Sequence, residues 1–235
     1  MTTTLAPRRN RRTAADARRA VLDSRNRFWQ PSDFPLAAST AHHLLGELDD
    51  RGELRRIRRG LYWRGLKTPL GMAPPPPERL IETLAPGPGV GPAGLSAANL
   101  LRLSTQVPRR ALVAIPERAP SDAGSVTFVA RAARTGRAAA GLTRTEVAAL
   151  EVLDDWTAVL EVTPDEAAAR LTDLLRTGDL RAERLAQAAA TEPGRTRARL
   201  AALLSAVGRS DLAERIPTPD PRTQAAALAT LGAAA

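Results

Sequence analysis

The sequence predicts an α+β protein, predominantly helical, in which a basic domain of helices and one hairpin precedes a larger mixed α/β segment. Apolar residues at helical spacing dominate the 235 residues, while β-rich runs are short and few. The charge is also divided unevenly. Residues 1–64 hold 14 Arg and no Lys against 7 acidic residues, whereas residues 65–235 hold 20 basic against 18 acidic. About a quarter of the chain therefore carries +7 of the +9 net charge. A GC-rich genome explains the choice of Arg over Lys, which occurs once, but it does not explain where the arginines fall. A patch of this kind attracts polyanions by releasing their condensed counterions.

Composition sets outer bounds. A 43% hydrophobic chain of this length can bury one large or two small cores. The absence of Cys excludes a disulfide framework, a thiolate zinc site and a cysteine nucleophile. Charges occupy the amino terminus where a signal peptide needs an apolar run, and no stretch approaches the roughly 18 apolar residues of a membrane span. The expectation is a cytoplasmic protein with no membrane contact.

Residues 1–12 lack periodicity and read as a mobile basic tail containing Arg8, Arg9, Arg11 and Arg12. These four arginines form either a minor-groove arm or a weakly contacting tail. Thr13 and Asp16 resemble a capping box that opens a helix to about residue 24, with Ala17, Ala20, Val21 and Leu22 on its apolar side. Pro31 and Ser32 start a short second helix that Pro35 breaks. A third helix follows from about Ser39, and Ala41, Leu44, Leu45 and Leu48 mark its inward face. That projection leaves Ser39, His43, Gly46 and Glu47 facing outward, with Thr40 and His42 on the flanks.

Gly52 then stops the helix. Strands are expected at 54–57 and 61–63 around a turn at Gly60. Leu54 and Ile57 lie three apart rather than two, so the first strand carries a bulge or starts late, and the outward residue of Arg55 and Arg56 stays open. Residues 65–77, ending in Pro74-Pro75-Pro76-Pro77, read as a semi-rigid linker or as a surface loop inside one domain.

The segment 78–215 mixes elements. Helices are predicted at 78–85 and 93–103, and paired strands at 111–115 and 125–129. Further helices follow from capping boxes at Thr143/Glu146 and Thr163/Glu166, then over 181–190 and 195–207, with Gly208 as a stop. Residues 216–235 read as a weakly determined tail.

The order helix, helix, helix, basic hairpin over 13–64 is that of a winged helix-turn-helix, which places a helix in a DNA groove. Ser39, Thr40, His42, His43 and Glu47 are the groove-reading candidates. Glu47 either accepts from cytosine N4 or is simply solvated. Arg55, Arg56, Arg58 and Arg59 crowd one turn, as a wing laid on phosphates requires; protection of an edge strand is the other explanation. Gly46 costs its helix about 1 kcal/mol relative to Ala; tight packing against the first helix is one explanation, and its expected exposed position favours the other, close approach to a nucleic-acid backbone.

Other chemistry finds little support. His42 and His43 point about 100° apart and cannot ligate one metal from the same face. The pairs Asp49-Asp50 and Asp154-Asp155 are read as solvated, and Arg195, Arg197 and Arg199 as surface. Phosphate loops, zinc-protease motifs and nucleophile elbows are missing from the sequence. No cofactor, metal or enzymatic activity is expected.

Four segments together resemble the AbiEi-type antitoxins, the regulatory halves of bacterial abortive-infection toxin–antitoxin pairs. They are Trp29-Gln30-Pro31-Ser32-Asp33-Phe34, the 52–62 wing, residues 97–108, and the helix start at 192–200. The resemblance implies a repressor that binds inverted repeats in double-stranded DNA upstream of its own operon and counters a nucleotidyltransferase-like toxin. Its DNA contacts would fall on Ser39, Thr40, His43 and the four wing arginines. The alternative is an antitoxin that neutralises the toxin by direct binding through the second domain. Arg102 departs from the group, where a Gly is expected in a small-residue turn.

Overall fold

The computed structural model describes residues 7–232, with side chains described from Thr13 onward. The chain divides into two compact units, Met1–Arg79 and Leu80–Ala235.

In the first unit, helix α1 spans Pro7–Asp23. It begins six residues before the predicted start, so Thr13 and Asp16 lie inside the helix instead of capping it. Arg is a good helix former and Pro is tolerated in a first helical turn, so the arginine-rich run propagates the helix rather than forming a tail. Strand β1, Arg27–Trp29, is too short for periodicity to reveal. A 3₁₀ turn at Pro31–Asp33 follows, closed by the Asp33 carboxylate accepting from the Gln30 N–H at 2.8 Å.

Helix α2, Ala38–Asp50, buries Ala41, Leu44, Leu45 and Leu48, as its spacing requires. Strands β2 (Arg55–Arg58) and β3 (Leu61–Arg64) form the hairpin, and Gly60 adopts the left-handed φ of +75° that its turn requires. The sheet order is β1-β3-β2, so β1 occupies the edge opposite the wing strand. Trp29, Phe34, Leu54 and Tyr62 close a core with Ala17 and Val21 of α1 and the apolar face of α2.

The stretch read as a linker is only partly one. Residues Lys67–Thr68 (β4) and Gly71–Met72 (β5) pair as a second small hairpin. Its origin is Trp63, 1% exposed, whose indole N–H needs a partner once buried and donates to the Ala73 carbonyl at 3.1 Å. The prolines that remain outside elements are 74–76, since Pro77 opens helix α3, Pro77–Leu84.

The second unit holds a three-stranded sheet of β6 (Gly91–Pro92), β7 (Ala111–Ile115) and β8 (Val126–Ala130), in the order β6-β7-β8. The pair β7/β8 is parallel, with Ala111 opposite Val126 and Ile115 opposite Ala130. Its connection is shorter than the usual helical crossover and serves instead to cover the sheet edge. Ala123 bridges Val126, and the Phe128 N–H donates to the Asp122 carboxylate at 3.1 Å. Helix α4, Gly94–Leu100, stops three residues earlier than predicted. The chain reverses through Arg102 at φ +62°, a left-handed geometry that glycine adopts at less cost than arginine.

Strand β6 touches helix α6 (Arg144–Asp154) through Gly91. A Cβ at Gly91 would lie 2.6 Å from the Val147 Cβ and 2.8 Å from the Arg144 carbonyl oxygen. Gly91→Ala is therefore expected to cost about 1–3 kcal/mol, read as a lowered urea midpoint. An unchanged midpoint would mean that β6 and α6 separate freely.

Helix α6 is buried continuously from Glu146 to Asp154 and forms the centre of the helical layer. Against it pack α4, α7 (Trp156–Val159) and α10 (Gly194–Ala206), and α5 (Gly136–Ala139), α8 (Pro164–Thr177) and α9 (Ala182–Ala188) complete the layer. Both predicted capping boxes form at Thr143/Glu146 and Thr163/Glu166. After α11 (Ser210–Ala213), the expected tail folds as α12, Pro221–Ala229, capped by Asp220.

Two side chains hold that last helix. The Trp156 indole donates to the Thr230 carbonyl at 2.8 Å. Arg199, read from sequence as surface, is 5% exposed and donates to the carbonyls of Leu153 at 2.6 Å and Ala227 at 3.3 Å. A cation there donates to carbonyls in the last turns of two helices, where the helix dipole favours positive charge.

Asp154, expected to be solvated, is also buried. It belongs to an ion network built on Glu151, which accepts from Arg131 at 2.9 and 3.0 Å and from Arg134 and Arg137 at 2.7 Å each. Arg137, fully buried, also grips Glu192 at 2.7 and 2.8 Å. Asp154 accepts from Arg134 and Arg195.

Candidate nucleic-acid interface

The candidate residues of the first unit lie on α2 and the β2–β3 hairpin, and the turn after α2 fixes one to the other. Gly52 (φ +67°) reverses the chain, the Leu54 N–H returns to the Leu48 carbonyl at 3.1 Å, and the Asp49 carboxylate accepts from the Arg56 N–H at 2.9 Å. The strand that becomes the wing is thus tied to the last turn of the helix.

The exposed side of α2 carries Ser39, His42, His43 and Asp50, with Gly46 half-buried between them. His42 faces the wing: a Cβ on Gly60 would stand 4.0 Å from its Cε1. His43 and Thr40 face the other way, into a groove of about 540 Å³ between α1 and α2 that Arg18, Leu22, Leu44 and Glu47 also line. The two adjacent histidines therefore serve opposite flanks of one helix, as a separation of about 100° dictates.

Glu47 is engaged within the protein. Arg18 of α1 pairs with it closely and Arg51 reaches it at 2.6 Å, and the hydrogen bond from Arg18 holds its carboxyl below the usual carboxylate range. The i, i+4 spacing of Glu47 and Arg51 was visible in the sequence; the Arg18 contact, 29 residues away, was not.

The strand ladder decides between Arg55 and Arg56. Arg56 stands opposite Tyr62 and Arg55 opposite Trp63, with a register break between Arg56 and Arg58 that realises both the expected bulge and the late strand start. Tyr62 belongs to the core shared with α2, so Arg56 shares the helix face of the sheet. Arg55 lies on the other face, where its guanidinium donates to the Met72 carbonyl at 3.1 Å. Arg58 ends β2, Arg59 lies in the turn, and both are exposed. The side chains of Arg8, Arg9, Arg11 and Arg12 lie outside the described residues.

Sequence reasoning passed over further cations of this unit. Arg27 lies 4.0 Å over the Trp29 ring, and Arg64 is held by the Glu53 carbonyl at 3.0 Å and its carboxylate at 3.2 Å. Both belong to strands paired across the sheet, which a linear reading does not place together. Among the described residues no three His, Cys, Asp or Glu side chains gather as metal ligands would, and no helix is long and apolar enough to cross a membrane.

These features define an α+β protein, mainly helical, with small sheets and a basic helix-and-hairpin surface on its first unit. No protein-family model matches the chain, and no curated protein does so. Among solved structures the chain is similar to the RV2827C protein from Mycobacterium tuberculosis, at 19% identity and a TM-score of 0.53, over 88% of this chain and 83% of that one. The likeness at that identity is one of fold.

Proposed function

We propose that the first unit is a winged helix-turn-helix and that the protein is a sequence-specific DNA-binding repressor without catalytic activity, acting in the cytoplasm. The observation that carries this reading is the joining of α2 to the hairpin. A helix with an exposed polar stripe stands beside a turn that Arg58 leads into and Arg59 occupies, and Arg56 shares its side of the sheet. The helix supplies side chains for base edges and the hairpin cations for phosphates, the two classes of contact such recognition needs. The +7 charge of residues 1–64 supplies the long-range attraction. Together with the resemblance to AbiEi-type antitoxins, this makes autoregulation of a toxin–antitoxin operon the role we assign, the second unit carrying the antitoxin activity.

A mobility shift with duplex DNA from upstream of the protein's own gene tests the assignment. Binding at least tenfold tighter than to unrelated duplex is expected at near-physiological salt. Equal affinity for both would overturn the specific repressor.

A further inference from the structure

Two residues of α2 make the free helix worse, and they lie on one stripe opposite its buried face, Asp50 exposed and Gly46 half-buried. Ser39, His43, Gly46 and Asp50 follow at i, i+4, i+7 and i+11, opposite the buried face. A Cβ at Gly46 would meet nothing within 4 Å, so no described neighbour requires a glycine there, although glycine weakens a helix interior. Asp50 places a carboxylate at the negative end of the helix dipole, in a last turn that holds no basic residue. Its side chain is exposed and has no ion pair among the described residues, whereas Glu47 is neutralised by Arg18 and Arg51, and Asp49 accepts from the Arg56 N–H.

Local choices that oppose the fold mark places where something outside the fold decides. A surface pressed against α2 explains both residues: glycine lets the helix backbone come closer than any side chain permits, and Asp50 needs a donor. On a duplex, phosphates repel a carboxylate, while the major groove offers the exocyclic amines of cytosine N4 and adenine N6.

Resting on the proposed DNA-binding function, we infer that α2 meets the major groove along its middle and last turns. Gly46 is the point of closest approach, and Asp50 is a specificity-determining residue that accepts a hydrogen bond from a base amine. Selection from a pool of randomised duplexes, with the full-length wild type, Asp50→Asn and Gly46→Ala in parallel and a thermal melt of each, tests this. Both variants are expected to melt at or above the wild-type temperature. Because Asn would keep an acceptor oxygen that adenine N6 can use, the deciding variant is Asp50→Ala, selected and melted beside the others. Asp50→Ala is expected to lose the preference at one C·G or A·T pair and leave the other positions alone. Gly46→Ala is expected to bind the wild-type sequence about tenfold more weakly or worse. An unchanged sequence with Asp50→Ala, or an unchanged affinity with Gly46→Ala, overturns the inference and leaves DNA binding intact. A wild type that enriches no sequence overturns the repressor reading and this inference with it.

Discussion

Replacing Glu151 by Ala is expected to destabilise the second unit by about 3–5 kcal/mol, the usual effect of removing one partner from a buried ion network. Glu151 has no exposed surface, and three arginines donate to it. Its removal leaves Arg137, also fully buried, with Glu192 alone and takes away the main partner of Arg131. The unpaired cations keep their desolvation penalty, which is why the effect far exceeds that of a surface pair. Urea unfolding of the variant checks it, and a midpoint within error of the wild type would refute a structural role for the network.

The same network predicts how stability depends on pH. Burial alone would push the Glu151 carboxyl up, but the Arg131 hydrogen bond and the charges of Arg137, Arg131 and Arg134 hold it below its ordinary 4.5. Asp154 is likewise lowered from 3.8: its burial is outweighed by the hydrogen bond from Arg195 and by the charge and hydrogen bond of Arg134. The native state therefore releases these protons more readily than the unfolded chain does. Their contribution is fully present above the unfolded values and is lost as pH falls through the lowered native ones. Asp155 works the other way, raised first by burial and then by the charges of Asp154 and Glu151, so it offsets part of the trend. Glu151→Gln should flatten the acid limb of a stability–pH curve. A curve of unchanged slope would place the titrating groups elsewhere.

Converting Arg56, Arg58 and Arg59 together to Ala is expected to weaken binding to every duplex and to lower the salt slope of log K by about 0.9 for each phosphate that is no longer neutralised. All three side chains are exposed, so unfolding of the first unit should stay within about 0.5 kcal/mol of wild type. Arg55→Ala makes the informative contrast. Its guanidinium is already bound to the Met72 carbonyl on the face of the sheet away from α2. It should therefore change the slope less and cost about 1 kcal/mol of stability. Fluorescence anisotropy at several salt concentrations measures the slopes, and a triple variant with the wild-type slope would take the hairpin off the phosphates.

Much of the first unit was legible in the chain itself. The face of α2, its stop at Gly52, the turn at Gly60 and the irregular β2 all follow from spacing and turn chemistry among near neighbours. So do the capping boxes at Thr143 and Thr163. The candidate interface was legible as a set of residues but not as a geometry. Which of Arg55 and Arg56 shares the side of α2 depends on a register with β3, and the capture of Glu47 by Arg18 depends on how α1 packs. Helical spacing separates Asp50 from Asp49 by direction, but only the tertiary structure shows that Asp49 is bound to the Arg56 backbone.

Sequence alone determined the helical character, the basic amino-terminal quarter and the places where the chain must turn, because periodicity, caps and glycine turns act between residues a few positions apart. The tertiary structure alone decided that β1 joins the hairpin, that residues 67–72 fold back under Trp63, and that the last helix docks through Arg199 and Trp156. It also turned apparently solvated charges into a buried network. Its partners stand 14 to 55 residues apart, as with Arg137 to Glu151 and to Glu192, and only packing brings such groups together and removes the water that would otherwise keep them apart.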